Sequence, residues 1–200
     1  MDLSYVVMGK GGLAFWWIDN AGSVPGSALA NYGFNLLPNS NNDWAASASG
    51  SLLLSSSFSL QTGDAVNVTA RVITAHAFPY NDVGFALLLQ SGRLQAVLFA
   101  VRPDGVERVG DMGPNLPNTF HKPSPGVSVT KKVGQAVDVV LGGLDYWPKD
   151  AGGASSSAKV TSTHTPGAGT YQLLAGVFAL NQSVNQARPA ALVLECVRLP

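Results

Sequence analysis

Apolar and polar residues alternate with a period of two through much of this chain. In "SLLLSSSFSL", residues 51–60, Leu52, Leu54, Phe58 and Leu60 fall on one face and Ser55, Ser57 and Ser59 on the other. "QTGD" turns the chain. "AVNVTARVITA" then continues with Val66, Val68, Ala70 and Val72 inward and Asn67, Thr69 and Arg71 outward. Two alternating runs around a Gly-containing turn predict an antiparallel hairpin. The next pair, Val83 to Gln90 and Arg93 to Val101, flanks "SG", again a hairpin signal. Phe85, Leu87 and Leu89 stand against Ala86 and Leu88, so both faces are apolar. Such strands belong in the centre of a sheet, covered on one side by a second sheet and on the other by a loop or a partner.

Downstream, "RPDGVER" predicts a tight turn at Asp104-Gly105. "GDMGPNLPNTFHKPSPG", Gly110 to Gly126, holds four prolines and no periodicity, and predicts a long functional or mobile loop. "QAVDVVLGGL" reads as a strand and "DYWPKDAGGASSSA" as a second long loop. "GTYQLLAGVFAL" and "ALVLECVRL" are the last two strands. No window keeps apolar residues at helical spacing for three turns. About eight to ten strands at intervals of about ten to fifteen residues, with Gly/Pro turns, predict an all-β fold, an antiparallel β-sandwich or jelly roll with long loops. No linker divides residues 1–200, which form a single domain. Residues 1–45 are an irregular or edge segment, with "LAFWWI" as an edge strand and "ANYGFNLLPNSNNDW" as an irregular cover; residues 46–200 are the sandwich core.

Composition narrows the classes. The 200 residues are 46% apolar but only 12% charged, about half the usual charged share. Lys plus Arg and Asp plus Glu are balanced at 12 each. There is no net charge to draw nucleic acid or an anionic membrane, and no repulsion to keep copies apart. A charge-poor surface suits an extracellular protein or one covered by partner subunits. Cys196 is the only cysteine, which excludes an intrachain disulfide and a cysteine-based metal site. Its apolar strand marks it as a small core residue. Met1 to Lys10 does not read as a signal peptide, and no segment has the length of a membrane span.

Catalytic patterns are missing. His76, His121 and His164 fit no zinc spacing, no G-x-S-x-G elbow occurs, and "GKGG" at Gly9 to Gly12 lacks the rest of a phosphate loop. His76 and Asp82 could act as a base and its orienting carboxylate, but Pro79 lies between them and no third member is evident. Glu195, set among apolar positions, must face solvent on an edge strand or pair with a base, Arg71 or Arg198. A calcium role would call for several clustered carboxylates. No cofactor and no metal are therefore implied, and an enzyme is not the reading. Asn67-Val68-Thr69 and Asn181-Gln182-Ser183 match the glycosylation pattern and carry no further argument.

Contact residues are better marked. Phe15, Trp16 and Trp17 cannot all face one way on a strand, so at least one must be exposed or buried by a neighbouring chain. Tyr146 and Trp147 precede a Gly/Ser-rich loop, where such a pair either stacks on a sugar or an interface, or caps the core. Tyr80, Asn81 and Asp82 enter a strand behind Pro79, as a turn or as part of a ligand contact.

The segments "GSLLLSSSFSLQTGDAVNVTARVITA", "FPYNDVGFALL", "GTYQLLAGVFALNQ" and "AALVLECVRL" resemble the secreted β-sandwich proteins of Gram-negative bacteria that end in a PEP-CTERM sorting signal. Those in turn are similar to the galactose-binding-like jelly rolls of carbohydrate-binding modules. The resemblance covers about half the chain and implies a fold more than a function. Where such domains carry an Asp or Asn pair before the closing strand, this chain has Glu195-Cys196, and it has neither their signal peptide nor their sorting tail.

Two functions follow as expectations. The first is a structural and display module of a larger assembly, such as a virion decoration (cement) or head-fibre protein. It would be a homo-oligomer on the virion surface whose partners are its own subunits or a capsid shell. The alternative is a secreted or cell-surface carbohydrate-binding or adhesive domain, using Tyr146, Trp147 and Tyr80 to Asp82 on a glycan. Neither involves nucleic acid or a membrane.

Overall fold

The computed structural model describes residues 5–8, 14–19, 24–34, 49–74, 82–102, 123–133, 156–179 and 190–198. Among them the strands, in chain order, are β1 (Tyr5–Met8), β2 (Ala14–Asp19), β3 (Val24–Pro25), β4 (Ser49–Leu54), β5 (Phe58–Leu60), β6 (Val66–Thr74), β7 (Asp82–Gln90), β8 (Arg93–Val101), β9 (Val127–Val133), β10 (Ser156–His164), β11 (Gly169–Ala179) and β12 (Ala190–Arg198). A short 3-10 segment, Gly26–Tyr32, follows β3. The strands form two antiparallel sheets. Sheet A runs β1-β2-β12-β6-β10-β9, and sheet B runs β3-β4-β11-β7-β8, with β5 added alongside β11. The all-β sandwich expected from the alternation is the observed architecture.

The core lies between the sheets. Val66, Val68, Ala70 and Val72 of β6 point into it, as the alternation predicts, and meet Ala86 and Leu88 of β7, Leu173, Ala175 and Val177 of β11, and Leu192 and Leu194 of β12. A second apolar layer lies on the outer face of sheet B. There Val83, Phe85, Leu87 and Leu89 of β7 and Leu174 and Phe178 of β11 are buried under Leu29 and Phe34. The two-sided apolar pattern of β7 thus has two covers, the second sheet on one side and the 3-10 segment with Phe34 on the other. Phe85 packs between Phe34, tilted against it, and Phe178, stacked on it, with ring centroids 5.8 and 5.9 Å away. Gly176 makes room for this ring: a Cβ there would lie 2.8 Å from Phe85 Cζ and 2.7 Å from the Ser51 carbonyl oxygen.

Turn chemistry closes the elements. Ser91 and Gly92 both have positive φ, 52° and 71°. That is the backbone of a two-residue type I′ hairpin, whose twist matches the strands it joins. At the crossing from β10 in sheet A to β11 in sheet B, the Tyr171 hydroxyl donates to the Gly167 carbonyl at 2.8 Å. This bond across the corner resembles the tyrosine corners of other sandwiches.

Four expectations need correction. The runs on either side of "QTGD" are not a hairpin: β5 pairs with β11 in sheet B and β6 lies in sheet A. The turn, closed by the Asp64 N–H to the Gln61 carbonyl, carries the chain across the core, so Leu60 and Val66 meet face to face instead of side by side. Nor do Leu52, Leu54, Phe58 and Leu60 share one face. β4 and β5 both pair with β11, but the register slips by one residue between Leu54↔Leu174 and Phe58↔Tyr171. A one-residue slip exchanges the faces, so Leu52 packs on the outer layer while Phe58 and Leu60 enter the intersheet core. Ser55 holds the irregularity. Its N–H donates to the Leu173 carbonyl, and its hydroxyl accepts from the Leu173 N–H.

The third correction concerns "LAFWWI". β2 is flanked by β1 and β12, and the outermost strand is β1. Finally, β9 and β10 were not among the expected strands, and the end of "DYWPKDAGGASSSA" belongs to β10 rather than to a loop. The turn at Asp104-Gly105, most of the loop from Gly110, and "QAVDVVLGGL" lie outside the described residues.

Candidate functional site

The outward positions of three adjacent strands in sheet A form a polar surface. Asn67, Thr69 and Arg71 come from β6, Lys159, Thr161 and Thr163 from β10, and Ser128, Thr130 and Lys132 from β9. Antiparallel register sorts them into rows, because residues directly opposite each other share a face. Thr163 donates to Asn67 Oδ1 at 2.7 Å, and the hydroxyls of Thr69 and Thr161 lie 3.3 Å apart. Lys132, Lys159 and Arg71 form the next row.

Glu195 completes the cluster from β12. Up to Leu194↔Ala70 the strand runs in step with β6; pairing then resumes at Cys196↔Thr69. Glu195 is therefore the extra residue of a β-bulge, a device that re-aims a side chain. Its Oε1 accepts from Arg71 Nε, and its Oε2 lies 2.9 Å from Lys159 Nζ. Arg71 and Glu195 are only 14% and 16% exposed. Charges withdrawn this far from water are tolerated when paired, and here one carboxylate serves two cations. β12 is an inner strand, so of the two readings of Glu195 it is pairing with a base that holds, and Arg71 is the base. Arrays of this kind hold strands in register and present donors to anions. Among the described residues no three His, Cys, Asp or Glu side chains converge on a metal position.

The other candidates are distributed differently. Trp16 pairs with Val6 and Leu194, and Trp17 with Tyr5 and Val193. Leu194 belongs to the intersheet core, while Val193, opposite Arg71, stands on the outer face and is buried. The backbone thus assigns positions 16 and 17 to rows on opposite faces of sheet A. Asp82 opens β7 in sheet B, opposite Ala179, so it shares no sheet with the tryptophans. Tyr80, Asn81, Tyr146, Trp147, His76 and His121 lie outside the described residues. Lys159, Thr161 and Lys132 were not singled out by sequence reasoning. The signal was present: Lys159, Thr161 and Thr163 alternate with Ala158 and Val160. Ser162, at an inward position, interrupts the pattern, and its buried hydroxyl has no hydrogen-bond partner.

No family model matches the chain, and neither a curated protein nor a solved structure matches it.

Proposed function

We propose that the chain is a non-enzymatic structural and display module of a larger assembly, of the virion decoration (cement) or head-fibre type, acting through subunit contacts. The observation that supports this reading is the difference between the two edges of sheet B. At β8 the edge is closed. Ala96 to Val101 are buried, and Ser124 takes up both backbone groups of Val97, accepting from its N–H at 2.8 Å and donating to its carbonyl at 2.9 Å. Two register shifts further distort the strand, a recognised protection against edge-to-edge pairing.

Among the described residues the opposite edge is open. Among the described residues, no strand pairs with β4 beyond Gly50, or with β5, on the side away from β11. Both apolar layers come to the surface there. Leu52 from the outer layer, and Leu53 and Phe58 from the inner, are half-buried, and Leu54 is 43% exposed. Residues 50–60 contain no charged residue. An apolar, uncharged edge on a chain with no net charge suits contact with another copy or with a protein shell.

Light scattering after size exclusion tests the reading. Wild type should run as a homo-oligomer, and Leu54→Lys, which alters an exposed position, should shift it to monomer with an unchanged circular dichroism spectrum. A wild-type monomer at micromolar concentration would overturn the self-association.

A further inference from the structure

We propose, on the reading of the β4–β5 edge as a subunit contact, that this edge pairs with the same edge of a second copy. The two would run antiparallel about a two-fold axis, so that one sheet continues through both subunits. The backbone decides which groups are on offer. The Ser55 N–H donates to the Leu173 carbonyl. Along an antiparallel pair, successive residues turn their N–H and C=O groups alternately toward and away from the partner strand. Those of Leu53 therefore face β11, and those of Leu52 and Leu54 face away. On β5, Phe58 stands opposite Tyr171, so the groups of Ser59 face away. β3 covers this side of β4 only at Ser49 and Gly50. After Leu60 the chain turns at Gln61 and crosses to sheet A. Among the described residues, 52–59 is therefore the uncovered stretch.

That stretch matches itself. A two-fold axis between Ser55 and Ser56 sets Leu52 opposite Ser59 of the second copy, Leu53 opposite Phe58, and Leu54 opposite Ser57. Leu52 and Ser59 both turn their backbone groups outward. Leu53 and Phe58 both pack against the intersheet core, so their side chains meet on one face. The one-residue slip between β4 and β5 makes this possible, because it moves Phe58 onto the face that Leu53 holds. β3 does not obstruct the pairing, since Gly50 falls opposite Gln61, where the strand of the second copy has ended. A strand laid against itself sets like charges close together, which destabilises a sheet. Residues 50–60 hold none. The edge strand β9, by contrast, exposes Lys131 and Lys132, and lysines guard an edge against pairing. A two-fold contact uses the same patch on both subunits and closes at the dimer.

Cysteine cross-linking of the full chain, with Cys196→Ser to remove the native thiol, tests both the partner and the register. Leu54 and Ser57 are exposed. The two-fold axis sets each opposite the other, and leaves each about 10 Å along the strand from its own counterpart, beyond the reach of a disulfide. A mixture of Leu54→Cys and Ser57→Cys should give a mixed disulfide dimer on mild oxidation, and neither variant alone should. Ser56→Cys, beside the axis, should cross-link to itself, while Ser128→Cys on β9 should not. Wild type should scatter light as a dimer whose mass does not grow with concentration. Growth into larger species, or a dimer without the mixed disulfide and the Ser56→Cys cross-link, would overturn the two-fold pairing and leave the subunit contact standing. A wild-type monomer would overturn both.

Discussion

Glu195 reaches Arg71 only because β12 carries one residue more than β6 can match. Pairing passes from Leu194↔Ala70 to Cys196↔Thr69, and the carboxylate left between them closes onto the guanidinium and onto Lys159. Truncating it would take from a largely buried Arg71, and from Lys159 beside it, the carboxylate that they share. Glu195→Ala should therefore cost about 1–3 kcal/mol in urea unfolding. A double-mutant cycle with Arg71→Ala should give a coupling of about 0.5–3 kcal/mol. Additive losses would show that the pair contributes little.

The Tyr171 hydroxyl is the only part of that side chain used for the corner bond to Gly167; the ring packs in the core and is 2% exposed. Tyr171→Phe keeps the ring and removes the bond. It should lower the unfolding free energy by about 1 kcal/mol with an unchanged denaturant slope.

Gly176 and Gly167 make a matched comparison. At Gly176 a Cβ would press on the Ser51 carbonyl and the Phe85 ring, whereas at Gly167 nothing lies within 4 Å. Gly176→Ala should cost about 1–3 kcal/mol, since the backbone contact cannot be relieved by a rotamer change. Gly167→Ala should stay within about 0.5 kcal/mol. Thermal unfolding of the two variants side by side measures the difference.

Ser162 is fully buried, and its hydroxyl has no hydrogen-bond partner. An unmet buried hydroxyl costs more than it returns. Ser162→Ala should raise stability by about 1 kcal/mol in chemical denaturation. A loss instead would mean that the hydroxyl has a partner in solution.

Leu29 and Phe34 cover the outer layer of sheet B. Leu29→Ala should cost about 2–5 kcal/mol. It should also speed hydrogen exchange at the Phe34 amide, which donates to the Leu29 carbonyl at 3.1 Å.

Much of the fold was legible because strand pattern is local. Period-two alternation marked β6, two-sided apolar runs marked β7 and β8, and Ser91-Gly92 marked their hairpin. β10 was missed because Ser162 breaks its inward series and the strand follows a Gly/Ser-rich stretch. Of the polar face, sequence alone named Arg71 as a partner for Glu195 but not Lys159, whose strand had not been recognised.

By itself the sequence determined the class of the molecule: alternation, turn residues and scarce charge leave little besides a β-sandwich with a neutral surface. Which sheet each strand joins was decided only in three dimensions. "QTGD" can close a hairpin or cross a core, and the choice depended on where β11 and β12 offered partners to β5 and β6. Register was decided there too. The slip at Ser55 and the extra residue at Glu195 are relations between strands more than a hundred positions apart, whose pairing costs chain entropy that no local pattern records. Each shift is a single residue. In a structure whose side chains alternate, that is enough to move Leu52 and Leu60 into different layers and to bring Glu195 to Arg71.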